Sequence, residues 1–173
     1  MRQVVPVLFA VAALIDVLAY GPASGQGDGD AVQIAEGKLV PDYRDWRLIS
    51  VAHEAGNLND LRAILGNDVA IKAYREGKRP FPDGTIIVRL AWDFVRSEEN
   101  NKAFGRSQSF VAGAPKEGVQ FMIKDSRKYA LTNGWGFFEF IDGKPADQAA
   151  LKGCSSCHEP AKANDFVFTH YAP

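Results

Sequence analysis

Large apolar and β-branched side chains gather in short clusters along the middle of the chain, separated by polar, glycine- or proline-containing stretches. Trp46, Leu48, Ile49 and Val51 make Arg44 to Ala52 a predicted strand, and Leu61 to Leu65 a second, shorter one. From Val69 to Glu76 the apolar positions (Val69, Ile71, Ala73, Tyr74) lie among charges, behind Asn67-Asp68 as cap and ahead of Gly77, which predicts a short helix. Pro80, Pro82 and Asp83-Gly84 then turn the chain into Thr85 to Phe94, a dense β-branched and aromatic strand.

Arg96 to Lys116 is polar and without clear period, so it is expected to be a long surface loop with little regular structure. Gly118 to Lys124 and Gly134 to Ile141 have strand composition, and the charged Lys124-Asp125-Ser126-Arg127-Lys128 between them is expected to face solvent. A last helix is predicted from about Ala146 to His158, with Pro160 opposing its continuation. Repeats and low-complexity tracts are absent from the sequence. The resulting class is α+β: a mainly antiparallel β-sheet with a few short helices packed on it.

The N-terminus has a different pattern. Arg2, the apolar run Val4 to Ile15 and the small residues Ala23-Ser24-Gly25 read as a signal peptide, residues 1–25, removed on export. Asp16 and Gly21-Pro22 interrupt the run before it reaches the roughly 20 apolar residues of a spanning helix, so no membrane anchor is expected after cleavage. The polar, glycine-rich Gln26 to Ala31 makes residues 26–40 an expected flexible lead-in, with the domain proper at 41–173. A chain of 173 residues, 46% of them hydrophobic, has the material for one core. With 20 basic against 21 acidic side chains there is no positive excess to neutralise a phosphate backbone, which excludes nucleic acid as partner.

The two cysteines stand three positions apart, so they staple no distant parts of the fold. Cys154-Ser155-Ser156-Cys157-His158 is the Cys-x-x-Cys-His pattern of c-type haem attachment. On a helix these three residues share a face, so two thiols can bond one porphyrin while His158 ligates its iron. The alternatives are an ordinary short-range disulfide, a redox pair, which would want a βαβ context, and a zinc site, which would want two further ligands that only His53 and His170 remain to supply. For a second axial ligand the candidates are Met122, His53 and His170, each of a type more often used in packing. An open position, suited to binding or transforming small molecules, is the favoured reading; a six-coordinate electron-transfer cytochrome is the alternative.

Beyond the haem motif, the chain from Tyr43 to Pro173 resembles the cytochrome P-460 family and its relatives, the β-type cytochromes c-prime. The likeness is carried by Tyr43-Arg44-Asp45-Trp46, Pro82-Asp83-Gly84-Thr85, Lys124-Asp125-Ser126, the Cys154 to His158 motif and Asp165-Phe166-Val167-Phe168-Thr169, in that order. It implies a small antiparallel β fold, usually a homodimer, with one covalent five-coordinate haem c in a bacterial periplasm. It also implies a small ligand such as nitric oxide or hydroxylamine; peroxide and a redox partner protein are expected besides.

Two positions depart from the enzymatic members. Where those carry a porphyrin-linked lysine, this sequence has Arg89, and where they carry a distal carboxylate it has Gln120. A guanidinium stays protonated and an amide does not take up a proton at neutral pH, so the usual linkage and proton acceptor are replaced. Lys72 or Lys78 would be the alternative lysine for a linkage. If Arg89 and Gln120 face the iron they favour an anionic or oxygen-containing ligand such as peroxide, nitrite or superoxide. The plainer role for Arg89 is an ion pair with Glu139.

Overall fold

The computed structural model describes residues 25–147 and 150–172. Among these, seven strands form one antiparallel sheet: β1 (Arg47–Glu54), β2 (Asp60–Gly66), β3 (Ile86–Arg96), β4 (Phe110–Pro115), β5 (Val119–Lys124), β6 (Trp135–Ile141) and β7 (Lys144–Pro145). Their order is β1-β2-β3-β5-β6-β7, with β4 also on β3. The fork is a matter of length: the first half of β3 pairs with β5 (Ile86 opposite Ile123), the second with β4 (Arg96 opposite Phe110). The class is the α+β architecture read from the sequence, and the predicted strands fall on β1, β2, β3, β5 and β6.

Alternation along the strands gives the sheet two apolar faces. One carries Leu65, Ile86, Val88, Leu90, Phe121, Ile123 and Phe140, covered by Ile34, Val40 and Tyr43 from the N-terminal segment. Phe121, 1% exposed, meets the rings of Tyr43, Trp46 and Phe140 edge-on. The other face carries Ile49, Ile64, Ile87 and Trp135 beneath Ala70, Ile71, Ala73 and Tyr74 of α2 (Asp68–Arg75), with Phe81 and Val167 closing the cluster. Helix α2 comes this close because Gly66 has no side chain: a Cβ there would lie 2.7 Å from Ile49 Cδ1 and 2.8 Å from Ala70 Cβ.

Asn67 starts α2 and ties it to the sheet. Its Oδ1 accepts the Ala70 N–H (3.0 Å) and the Ile86 N–H (3.1 Å), and its Nδ2 donates to the Gly84 carbonyl (2.9 Å). One buried side chain thereby satisfies a helix cap and the first amide of β3.

Four sequence expectations change. The stretch expected as a flexible lead-in contains α1 (Gly25–Ala35), and Ile34 and Val40 are fully buried; tertiary burial overrides its poor helix propensity. The predicted loop at 96–116 holds α3 (Glu98–Phe104) and β4. Helix α3 has no apolar stripe to reveal it: Ser97 caps its start through the Asn100 N–H, and Gly105 (φ 68°) ends it. Lys124, expected in solvent, is 5% exposed, whereas Ser126, Arg127 and Lys128 do face out.

The last helix is broken up. Part of the predicted span, residues 148–149, lies outside the described residues; 146–147 are irregular, Ala150–Gly153 is a 3₁₀ turn, and α4 is Cys154–His158. Helical turns continue past Pro160 as 3₁₀ (Glu159–Asn164), because Pro160 sits in their first turn where no N–H is required.

Asn67→Ala removes three hydrogen bonds at a buried junction and is expected to cost about 2–3 kcal/mol. Urea denaturation of the variant tests this; a loss under about 0.5 kcal/mol would show that the junction holds without it.

Candidate functional site

Helix α4 is a single turn, long enough to put Cys154, Cys157 and His158 on one side. Both thiols are free, Cys154 half-buried and Cys157 exposed. Burial, and secondarily the negative charge of Glu139, push the Cys154 thiol above its ordinary range. Ser156 turns its hydroxyl back onto the Gly153 carbonyl (2.8 Å), and nothing stands within 4 Å of where a Gly153 side chain would be.

His158 is held by a hydrogen bond to the backbone. Its Nδ1 lies 2.7 Å from the Phe166 carbonyl, which can only accept, so Nδ1 carries the proton and the Nε2 lone pair is left for a metal. Burial pushes its pKa down, against the smaller opposite pull of that hydrogen bond, and so favours the neutral imidazole a metal needs. The rings of Phe137 and Phe168 flank it, both with centroids at 5.1 Å.

The Phe166 carbonyl points at His158 because the chain is held in a left-handed elbow, with Asp165 at φ 51° and Phe166 at φ 65°. Non-glycine residues rarely adopt this conformation without support from their surroundings. Here the Asp165 carboxylate accepts both Lys124 Nζ (2.8 and 2.9 Å) and the Phe81 N–H (2.8 Å), and its carbonyl accepts Trp135 Nε1 (2.8 Å). Lys124 also donates to the Asn133 carbonyl (3.2 Å) and lies over the Trp135 ring. The neighbouring Asn164 accepts Arg79 Nε (2.8 Å) and donates to the Val167 carbonyl (2.6 Å). Sequence reasoning misses this support. One signal points to it: Lys124 shares strand parity with Gln120 and Met122, hence a face with them.

Arg89 and Gln120 stand directly opposite each other across β3 and β5, and Gln120 stands opposite Glu139 across β5 and β6. Arg89 Nη1 donates to Gln120 Oε1 (3.2 Å), and Gln120 Nε2 donates to Glu139 Oε1 (3.0 Å). The ion pair of Arg89 is with Asp60 (2.5 Å), not with Glu139, which it reaches through Gln120. Asp60, 1% exposed, also holds Arg62 Nε (2.7 Å), and Arg62 reaches Glu54 (3.1 Å). Burial and the nearby Arg62 charge lower the proton affinity of Arg89, with Asp60 pulling the other way. A polar row thus crosses the sheet from β1 to β6.

The next rung along brings Ile87, Met122 and Phe137 side by side, so Met122 neighbours the ring on which His158 rests. His53 is stacked on Phe94 at 3.8 Å and paired with Leu61, opposite Trp92 of the other apolar face. His170 lines a separate cavity with Tyr74 and Tyr171. Lys72 and Lys78 are exposed. Among the described residues no group of three His, Cys, Asp or Glu side chains is placed to hold a bare metal ion.

A family model described as Cytochrome P460 matches residues 40–169. No curated protein matches the chain. The residues fit the haem c of that family on their own chemistry: two free thiols one turn apart, an imidazole whose Nδ1 is held by a carbonyl, and two aromatic rings packed near it.

Breaking the Lys124–Asp165 pair from one side is expected to cost about 3–5 kcal/mol, because the remaining charge stays buried. Lys124→Met and Asp165→Asn, compared with the double variant by chemical denaturation, test this. Additive losses in the double variant would show that the two residues do not act as a pair.

Proposed function

The chain belongs to the cytochrome P460 family, a haem c family, and on that premise we propose that it binds or redox-transforms small nitrogen- and oxygen-containing molecules at a single haem. In this reading Cys154 and Cys157 would hold the haem through two thioether links and His158 Nε2 would ligate its iron. The observation that carries it is the Phe166 carbonyl on His158 Nδ1, which fixes the tautomer that ligation requires. When bound, the haem supplies iron with one-electron chemistry and, with one protein ligand, an open coordination position.

The row Arg89, Gln120 and Glu139 supplies the polar groups that meet a ligand. Arg89 has five N–H donors and uses one each on Gln120 and Asp60, which leaves donors for nitrite, peroxide or superoxide. Gln120 orients between the cation and the carboxylate, and Glu139 can accept a hydrogen bond or a proton from hydroxylamine or peroxide. Asp60 is a positioning residue: its buried carboxylate fixes the guanidinium before any ligand arrives. Arg89 in place of a lysine argues against a porphyrin linkage at that position.

The second reading, a six-coordinate electron carrier, rests on Met122, which register places beside Phe137 on the His158 side of the sheet. Export to the periplasm behind a cleaved signal at 1–25, a haem domain at 41–173 whose core takes in Ile34 and Val40 of the preceding segment, a redox partner protein and a homodimer complete the proposal. Among the described residues no helix is long and apolar enough to cross a membrane.

Expressed with a cytochrome-maturation system, the chain is expected to carry one haem by mass, with attachment lost in the Cys154→Ala/Cys157→Ala variant; the bare polypeptide mass in the unmodified chain would end the proposal. The ferrous protein should be high-spin and shift with carbon monoxide, whereas sharp low-spin bands indifferent to it would select the Met122 reading. Arg89→Leu is expected to weaken nitrite binding by roughly ten- to a hundredfold and to leave carbon monoxide affinity nearly unchanged. Equal nitrite affinity in the two proteins would remove Arg89 from the site.

A further inference from the structure

A second concentration of charge lies at the C-terminal end of α2, where a surface cavity of about 530 Å³ is lined by Tyr74, Arg75, Arg79, His170 and Tyr171. Among the described residues neither arginine is in an ion pair. The nearest candidate, Asp165, has its carboxylate taken by Lys124 and the Phe81 N–H. Arg79 is nevertheless half-buried and held in place: it stacks on the Phe81 ring at 3.7 Å and near Tyr74 at 4.8 Å. Its Nε is fixed by Asn164 Oδ1 and its Nη1 by the Lys78 carbonyl (2.7 Å). Arg75 is anchored by Nε to the Tyr171 hydroxyl (3.3 Å), and Tyr171 stacks with Tyr74.

A partly desolvated cation without an ion-pair partner is costly, and the half-buried Arg79 with the exposed Arg75 beside it presents its remaining N–H groups to one cavity as a fork suited to an oxyanion. The aromatic side chains that immobilise both arginines have already met the ordering cost of that fork. We propose that this groove binds a small free oxyanion of carboxylate or phosphate type, and that its occupancy is felt at His158. The link is short. Arg79 grips Asn164, Phe81 grips Asp165, and the next residue, Phe166, supplies the carbonyl on His158 Nδ1. Anion binding itself is independent of the haem reading; only its transmission rests on His158 as ligand.

Calorimetric titration of the holoprotein with inorganic phosphate and with acetate, at low ionic strength, tests the site. One saturable event is expected for at least one of the two anions, weakened roughly tenfold by Arg75→Gln and by Arg79→Gln. Arg79→Lys should retain part of the binding, because it keeps the charge and loses the fork, and Arg127→Gln, on an exposed turn, should retain all of it. Saturation should lower the reduction potential of the unmodified protein and not that of Arg79→Gln. No saturable heat with either anion, as when the haem's own carboxylates fill the groove, or equal affinity in the Arg75→Gln/Arg79→Gln protein, would overturn the site. Binding without a change in potential would overturn the transmission. Circular dichroism of each variant separates loss of binding from loss of fold.

Discussion

A lysine and an aspartate, both almost entirely out of solvent, meet where the end of β5 touches the returning C-terminal segment. Burying two charges is expensive, and their attraction offsets the expense only when the remaining donors and acceptors are satisfied as well. At Lys124 and Asp165 they are: the ammonium also donates to the Asn133 carbonyl, and the carboxylate also takes the Phe81 N–H. That set of bonds holds two consecutive residues in left-handed backbone, and the elbow so formed aims the Phe166 carbonyl at His158. The tautomer of the candidate metal ligand is therefore decided by a contact 41 positions apart in sequence.

That contact also marks the limit of what the sequence discloses. Local chemistry is readable: the Asn67 cap, the Pro82 to Gly84 turn and the β-branched run of β3 each stand on neighbours in the chain. The Cys-x-x-Cys-His spacing is readable for the same reason, since one helical turn brings its members together. What escapes the sequence depends on distant partners. Helix α1 has weak intrinsic preference and exists because Ile34 packs against Tyr43 and the sheet. Helix α3 and β4 are polar or exposed, and Asn101 arranges the turn between them by accepting the Gln108 and Ser109 amides. Lys124 looks like surface by composition, and only strand parity says otherwise.

The shared rung of Arg89 and Gln120 shows the opposite case, in which two residues singled out separately in the sequence become one unit through the register. A sheet face tolerates such a row when each charge has a partner, and here Asp60 and Glu54 pair with two arginines while Gln120 bridges a cation to a carboxylate. Asp83, one of the residues that carry the family likeness, has a structural role. Its carboxylate accepts the Ser126 amide and hydroxyl (both 2.8 Å), which clamps the turn before β3 to the one after β5.

The order of elements along the chain bears on biogenesis. All seven strands are complete by Pro145, whereas the cysteines, His158 and the segment that closes the second apolar face come afterwards. Until Val167 and Tyr171 return to the sheet, Tyr74, Phe81 and Trp135 lack their cover. The stretch that covers this face follows directly on the one that bears the thiols, so the cysteines and the lid of the second apolar face reach the sheet as one late-made piece of chain.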